Sequence, residues 1–97
     1  MTVIATLELR LRPDSLDEAR TILRRVLAET RAFDGCEGVD VMVDETDPAH
    51  VVAVERWRDM EADSAYRAFR AGPGKITDFA TILAGAPVLT RGEVADL

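Results

Sequence analysis

Apolar residues recur at every second position near the start of the chain, which is the spacing of a half-buried strand. The same period returns over residues 39–43, 50–58 and 88–94. Because side chains on a strand alternate between its two faces, each segment predicts a strand with one face in the core. In the first strand that face would carry Val3, Ala5, Leu7, Leu9 and Leu11.

Apolar residues at helical spacing separate these strands. Residues 15–18 have the form of a capping box, in which Ser15 and Glu18 bond each other's backbone amides, and they predict a helix that ends near Phe33. A second helix is predicted to begin with Asp59 as its N-cap. A shorter helical piece is predicted from Lys75 to Ala84.

The connection between the second and third strands predicts a hairpin. Residues 45–49 contain the turn-forming dipeptide Asp47-Pro48, and their number suits such a connection. The resulting order is strand, helix, strand, strand, helix, strand. It predicts the α+β class and a ferredoxin-like βαββαβ arrangement, with a four-stranded antiparallel sheet and both helices on one face. No repeat or linker divides the chain, so we expect residues 1–97 to form a single domain.

The sheet face opposite the helices is predicted to be too apolar to remain wholly in water. We therefore expect a homodimer in which two copies pack their helix-free faces together, which would also enlarge the core of a small chain. The apolar residues predicted on this face are Ile4, Met42, Val52 and Val54, and they are mixed with Thr6, Glu8, Arg10 and Arg56.

The charge balance argues against several partners. The chain has 18 Asp and Glu residues against 12 Lys and Arg residues, which gives a formal net charge of −6. Nucleic acids and anionic membranes repel such a chain on average, so we expect neither as a partner. The sequence has no run of about 18 apolar residues and no basic segment at its start, so we expect a cytoplasmic protein.

Few residues are available for metal or thiol chemistry. Cys36 and His50 are the only cysteine and the only histidine. No intrachain disulfide, Cys-x-x-Cys pair or recognisable zinc or iron site is therefore predicted. Cys36 is expected to be a half-buried thiol in a turn, because a nucleophilic couple with His50 would need the fold to bring the two together.

The end of the third strand carries the most informative local pattern. Strand alternation places Glu55 on the same face as Trp57, the only tryptophan. Two interpretations stay open. The pair could hold and deprotonate a flat organic ligand beneath a helix. Alternatively, Trp57 could fill the core beside a Glu55 that is held in an ion pair, since large aromatic residues mostly serve to fill cores.

Several short motifs resemble the antibiotic biosynthesis monooxygenase family. The resemblance covers nearly the whole chain and implies a small dimeric α+β barrel of the ferredoxin-like type. The glutamate-x-tryptophan pattern is shared by members of differing activity, so the resemblance implies the fold better than the function. The motifs are Glu55-Arg56-Trp57 with Arg58-Asp59-Met60-Glu61-Ala62 after it, Gly35-Cys36 before the second strand, and Ala84-Gly85-Ala86-Pro87 before the last.

The same resemblance implies oxygenation of a polycyclic aromatic or phenolic substrate to a quinone, with no cofactor and no metal. Trp57 matches the family tryptophan that lies against the substrate, and Glu55 is implied to orient the substrate or to accept a proton. Tyr66 is implied to donate a hydrogen bond to a ligand oxygen. Apolar pocket walls, which core packing would explain equally well, are expected from Leu7, Leu9, Phe69 and Phe79.

The chain also departs from the family pattern. Asp63 follows Glu61-Ala62, and Tyr66 falls about where many relatives carry a histidine. The chain has no asparagine, and His50 is misplaced for axial ligation, so haem degradation is not expected.

Other functions on the same framework stay open. A polyketide cyclase would use the same apolar pocket with one acid or base, and a ligand-binding or stress-related barrel protein would use it without chemistry. An amino-acid-sensing domain ranks lower because the first strand–helix loop, Arg12-Pro13-Asp14-Ser15, has no glycine. An RNA-recognition domain has the same topology, but the third strand lacks exposed aromatic residues.

Overall fold

The computed structural model describes residues 1–97 and has the predicted order of elements. A 3₁₀ turn at Phe79–Thr81 is the only addition to that order. The elements are β1 (Val3–Arg10), α1 (Leu16–Ala32), β2 (Cys36–Asp44), β3 (Asp47–Trp57), α2 (Met60–Ala71) and β4 (Val88–Glu93).

The four strands form one antiparallel sheet in the order β2-β3-β1-β4. The central strands β1 and β3 pair from Val3 opposite Trp57 at one end to Arg10 opposite His50 at the other. The predicted ferredoxin-like α+β fold is confirmed. No helix is long and apolar enough to cross a membrane.

The core on the helix side of the sheet divides into two clusters, one under each helix. The side chains of the two clusters leave a space between them, which is described below as a cavity. The cluster under α1 contains Leu9, Leu11, Ala19, Ile22, Val26, Ala49, Val51 and Ile82. The cluster under α2 contains Val3, Ala5, Trp57, Ala62 and Tyr66.

The two helices begin differently. As predicted, the carboxylate of Asp59 accepts a hydrogen bond from the backbone amide of Ala62 at 2.8 Å, and this bond lowers the pKa of Asp59. The capping box predicted at Ser15 is wrong, because its hydroxyl makes no cap bond and donates instead to Asp14 at 3.3 Å. The backbone of Ser15, with ψ at 23°, is not in the extended conformation typical of a capping residue.

The hairpin between β2 and β3 turns at Glu45 and Thr46, so the predicted turn at Asp47-Pro48 is wrong. Asp44 Oδ1 accepts hydrogen bonds from the backbone amide and the hydroxyl of Thr46, both at 2.8 Å. This side-chain closure stabilises a two-residue turn. Asp47 and Pro48 therefore begin β3, where a proline near the start of a strand is tolerated.

The helix predicted from Lys75 to Ala84 is also wrong, apart from the 3₁₀ turn. The backbone amide of Arg12 donates to the carbonyl of Ile82 at 2.8 Å, and that of Ala84 donates to the carbonyl of Arg10 at 2.7 Å. These bonds tie the segment to the end of β1 and compete with helical hydrogen bonds. The predicted apolar stripe still packs on the core through Ile76, Phe79 and Leu83.

The turn at Asp44 gives the stability a specific acid dependence. Hydrogen bonds from His50 and Thr46 lower the pKa of Asp44 to about 2. Its contribution is therefore present above about pH 4, the ordinary aspartate value, and is lost as the pH falls through about 2. We expect the wild type to lose stability across this interval more steeply than Asp44→Asn, measured by urea unfolding at each pH.

The control for that comparison is Asp40→Asn, which changes an exposed side chain of the same strand. We expect Asp40→Asn to follow the wild-type curve. If the Asp44→Asn and wild-type curves ran parallel between pH 4 and pH 2, the acid dependence would not come from Asp44.

Candidate functional site

A cavity of about 300 Å³ lies between the two helices and the sheet. Its size is at the lower end of the range of about 300–1,000 Å³ that is typical of small-molecule sites. Eleven of its 17 lining residues are hydrophobic. Strands β1, β2 and β3 supply the floor, α1 and α2 supply the sides, and Lys75, Ile76, Phe79 and Pro87 supply the remaining wall.

Five of the seven predicted site residues line this cavity, namely Leu7, Leu9, Glu55, Tyr66 and Phe79. The other two predicted residues, Trp57 and Phe69, do not line it. Four polar residues that line the cavity were not predicted, namely Thr30, Arg67, Arg70 and Lys75. Helical spacing could have indicated Arg70, which lies four residues after Tyr66 and therefore on the same face of α2.

Trp57 is fully buried in an aromatic cluster that we define as Phe33, Trp57, Tyr66 and Phe69. The rings of Trp57 and Tyr66 have centroids 4.9 Å apart, and Phe33 packs edge-on against Trp57 at 6.1 Å. Trp57 thus contacts Tyr66 and Glu55, which line the cavity, without lining it itself. The structure agrees with the interpretation in which the indole fills the core beside an ion-paired Glu55.

The two carboxylate oxygens of Glu55 have different surroundings, although the residue is only 3% exposed. Oε1 accepts hydrogen bonds from the indole nitrogen of Trp57, at 3.0 Å, and from the guanidinium of Arg67. Oε2 accepts no hydrogen bond from the protein. Glu55 therefore presents one fixed oxygen to the core and keeps one free acceptor on a residue that lines the cavity.

Arg67 joins Glu55 to a second buried carboxylate. Its guanidinium donates to Asp63 Oδ1 at 2.9 Å, and Arg91 Nε lies 2.6 Å from Asp63 Oδ2. Burial lowers the pKa of Arg67, but the attraction of Glu55 and the bonds to both carboxylates outweigh this, so the pKa is raised overall. The alternating chain Glu55–Arg67–Asp63–Arg91, here called the ion-pair chain, connects β3, α2 and β4 and balances its own charge.

The hydroxyl of Tyr66 is also engaged within the protein. It accepts a hydrogen bond from Arg70 Nε at 2.7 Å and lies 2.6 Å from Thr30 Oγ1. Because the Thr30 hydroxyl donates to the carbonyl of Val26 at 3.0 Å, the phenolic proton points towards Thr30. A hydrogen bond from Tyr66 to a ligand, as implied by the family resemblance, would require this proton to turn away from Thr30.

Metal and thiol chemistry have little support from the arrangement of side chains. No group of three or more His, Cys, Asp or Glu residues could hold a metal ion. Cys36 lies beside Trp57 in the strand pairing, whereas His50 lies at the opposite end of the sheet beside Arg10. Burial raises the pKa of the Cys36 thiol, which disfavours the nucleophilic thiolate.

The fold and the site together define a class of small ferredoxin-like α+β proteins with an apolar cavity between the sheet and its helices. The sequence profile of the antibiotic biosynthesis monooxygenase family matches residues 2–74. That match covers more than half of the chain. The protein therefore belongs to the antibiotic biosynthesis monooxygenase family.

Similar solved structures support the fold assignment. One described as an antibiotic biosynthesis monooxygenase has 19% identity and a TM-score of 0.82, over 97% of this chain and 99% of the other. Rv0793 from Mycobacterium tuberculosis has 24% identity and a TM-score of 0.74, over 100% and 98%. PA3566 from Pseudomonas aeruginosa has 18% identity and a TM-score of 0.80, over 98% and 95%. At these identities the likeness establishes the fold alone, and no curated protein sequence matches the chain.

The ion-pair chain predicts a large effect for one substitution. Arg67→Met would leave the carboxylates of Glu55 and Asp63 buried without their shared cation, and we expect it to lower the free energy of unfolding by about 3–5 kcal/mol. The matched control is Arg58→Met, which breaks exposed ion pairs with Asp34 and Asp59 and should cost at most about 1 kcal/mol. Urea unfolding of both variants checks this, and similar losses would contradict it.

Proposed function

We propose that this protein is a cofactor-independent monooxygenase that converts a polycyclic aromatic or phenolic small molecule to a quinone. The observation that carries the proposal is that Glu55 lines a largely apolar cavity and that its Oε2 accepts no hydrogen bond from the protein. Membership of the antibiotic biosynthesis monooxygenase family supports the reaction class. The cavity is lined mainly by hydrophobic residues, which suits a flat aromatic ligand.

The proposed reaction begins when a phenol binds in the cavity and Glu55 Oε2 accepts its proton. The resulting phenolate is electron-rich and passes electrons to dioxygen. One oxygen atom becomes bonded to a ring carbon, and the other leaves as water with two hydrogens from the substrate. The substrate loses four electrons and dioxygen gains four, so the reaction balances without a further reductant. The apolar walls exclude water from the reactive anion.

Trp57 has a positioning role in this proposal. Its indole nitrogen donates to Glu55 Oε1 at 3.0 Å, which fixes the orientation of the carboxylate that also carries the free Oε2. Trp57 does not line the cavity, so it acts through Glu55 and through its packing on Tyr66. Tyr66 and the apolar side chains of Leu7, Leu9 and Phe79 are proposed to contact the ligand.

Oxygen uptake with a hydroxylated anthrone tests the proposal. We expect Glu55→Gln to lower kcat by about 100-fold or more, which is the scale of a lost general base. We expect Trp57→Phe to lower kcat by about tenfold with little change in KM, because the lost bond orients Glu55 and does not touch the substrate.

The control for these measurements is His50→Gln, which changes a residue at the far end of β3 and should leave oxygen uptake unchanged. Uptake by Glu55→Gln at the wild-type rate would show that Glu55 is not the base. A larger effect of Trp57→Phe on KM than on kcat would contradict the positioning role.

A ligand-binding protein or a polyketide cyclase is the second candidate. The observations that favour it are the ion pair between Glu55 and Arg67 and the phenolic proton of Tyr66 that is already engaged with Thr30. Both contacts hold groups of the cavity lining in fixed positions, which suits a cavity that binds a ligand without using those groups to oxygenate it. Protein-dependent quenching of ligand fluorescence without oxygen uptake would support this candidate.

We also propose that residues 1–97 act as one domain and assemble as a homodimer through the helix-free sheet face. Met42 and Val88 on that face are each 56% exposed, and Ile4, Val52 and Val54 beside them are half-buried. Pairing with a second copy would cover this apolar strip.

Sedimentation velocity tests the homodimer. Val54→Asp places a charge in the middle of the helix-free face, and we expect it to convert a dimer to a monomer. Ala28→Asp adds the same charge at an exposed position of α1 and should leave the dimer intact. A wild-type monomer, or a dimer that survives Val54→Asp, would contradict the proposed interface.

A further inference from the structure

The cavity has the opposite charge balance to the chain as a whole. The chain carries 18 acidic and 12 basic residues. The cavity is lined by three cationic side chains, Arg67, Arg70 and Lys75, and by a single carboxylate, that of Glu55. An acidic surface repels anions, whereas a concave cationic site attracts them and raises their local concentration. An anionic ligand is therefore favoured in the cavity where one of these cations is not already neutralised by a carboxylate of the protein.

The three cations differ in how many ion pairs and hydrogen bonds they already make within the protein. Arg67 is held between two carboxylates in the ion-pair chain. Arg70 pairs with Glu29 at 3.1 Å and also donates to the hydroxyl of Tyr66 and to the carbonyls of Gly74 and Val26. Lys75, the only lysine, makes no ion pair. Its positive charge is therefore available to a ligand.

Lys75 lies where the cavity meets solvent. The residue is exposed, and it lines the cavity next to Arg70, in the segment that follows α2. Glu55 lies on the floor of the cavity, on β3. The cavity therefore has an inner acceptor on β3 and a cation at its mouth, and its remaining lining is mostly apolar. Such an arrangement selects a ligand with an apolar body and polar groups at two separate positions.

We propose that Lys75 binds a carboxylate of the substrate at the mouth of the cavity, so that the substrate is an aromatic carboxylic acid that also carries a phenol. The inference deepens the proposed function and rests on it. A carboxylic acid is ionised at neutral pH and a simple phenol is not. The carboxylate therefore pairs with the ammonium of Lys75, while the neutral phenol is left for Glu55 to deprotonate.

Calorimetric titration with two ligands that differ by one carboxylate tests the inference. The ligands are a naphthol and the matching hydroxynaphthoate. We expect the wild type to bind the hydroxynaphthoate about fivefold more tightly, a preference that should shrink as the salt concentration rises. In Lys75→Met the two affinities should become equal within about twofold. Lys75→Arg keeps the charge and should keep the preference.

The matched control is Arg24→Met, which removes one positive charge from an exposed position on α1 outside the cavity. It should leave the preference for the carboxylate unchanged. Equal weakening of both ligands by Lys75→Met, or no effect on either, would overturn the role of Lys75. Wild-type binding of naphthol with no preference for the carboxylate would overturn the inference but not the proposed function. Absence of binding by both ligands would overturn both.

Discussion

The carboxylate of Glu55 connects the core of this protein to its cavity. One oxygen is fixed by the indole of Trp57 and the guanidinium of Arg67, and the other is left without a protein partner on a cavity-lining residue. A buried carboxylate is tolerated only when its charge is paired. The ion-pair chain through Arg67 and Asp63 therefore makes it possible for Glu55 to lie in the core next to the cavity. Stability and the candidate chemistry therefore depend on the same group of side chains.

The cavity exists because α1 and α2 pack on separate parts of the sheet. Each helix covers its own cluster of buried residues, and the segment after α2 covers part of the space that remains. That segment is bonded to the end of β1 and is attached to α1 by the bidentate ion pair between Arg25 and Asp78, at 2.9 and 2.6 Å. The wall that carries Lys75 is thus held by contacts to two other elements.

Much of the fold could be predicted because it depends on local periodicity. The alternation in β1 and β3, the cap at Asp59 and the end of α1 near Phe33 are all properties of neighbouring residues. The predictions of local structure failed where another hydrogen-bond partner replaced the one that the local pattern suggested. Ser15 donates to Asp14, Thr46 bonds Asp44 to set the hairpin turn, and backbone bonds to β1 prevent a helix over residues 75–84.

The sequence by itself determined the order of the elements, the shared face of Glu55 and Trp57 and the position of Tyr66 on α2, because strand and helix periods are set by backbone geometry. Only the tertiary structure decided that Trp57 lies behind the cavity, that Arg67 and Arg70 join the site and that Lys75 lies at its mouth. The reason is physical: which side chains share a cavity depends on how separate elements pack, and residues that are distant along the chain leave no periodic signal of that packing.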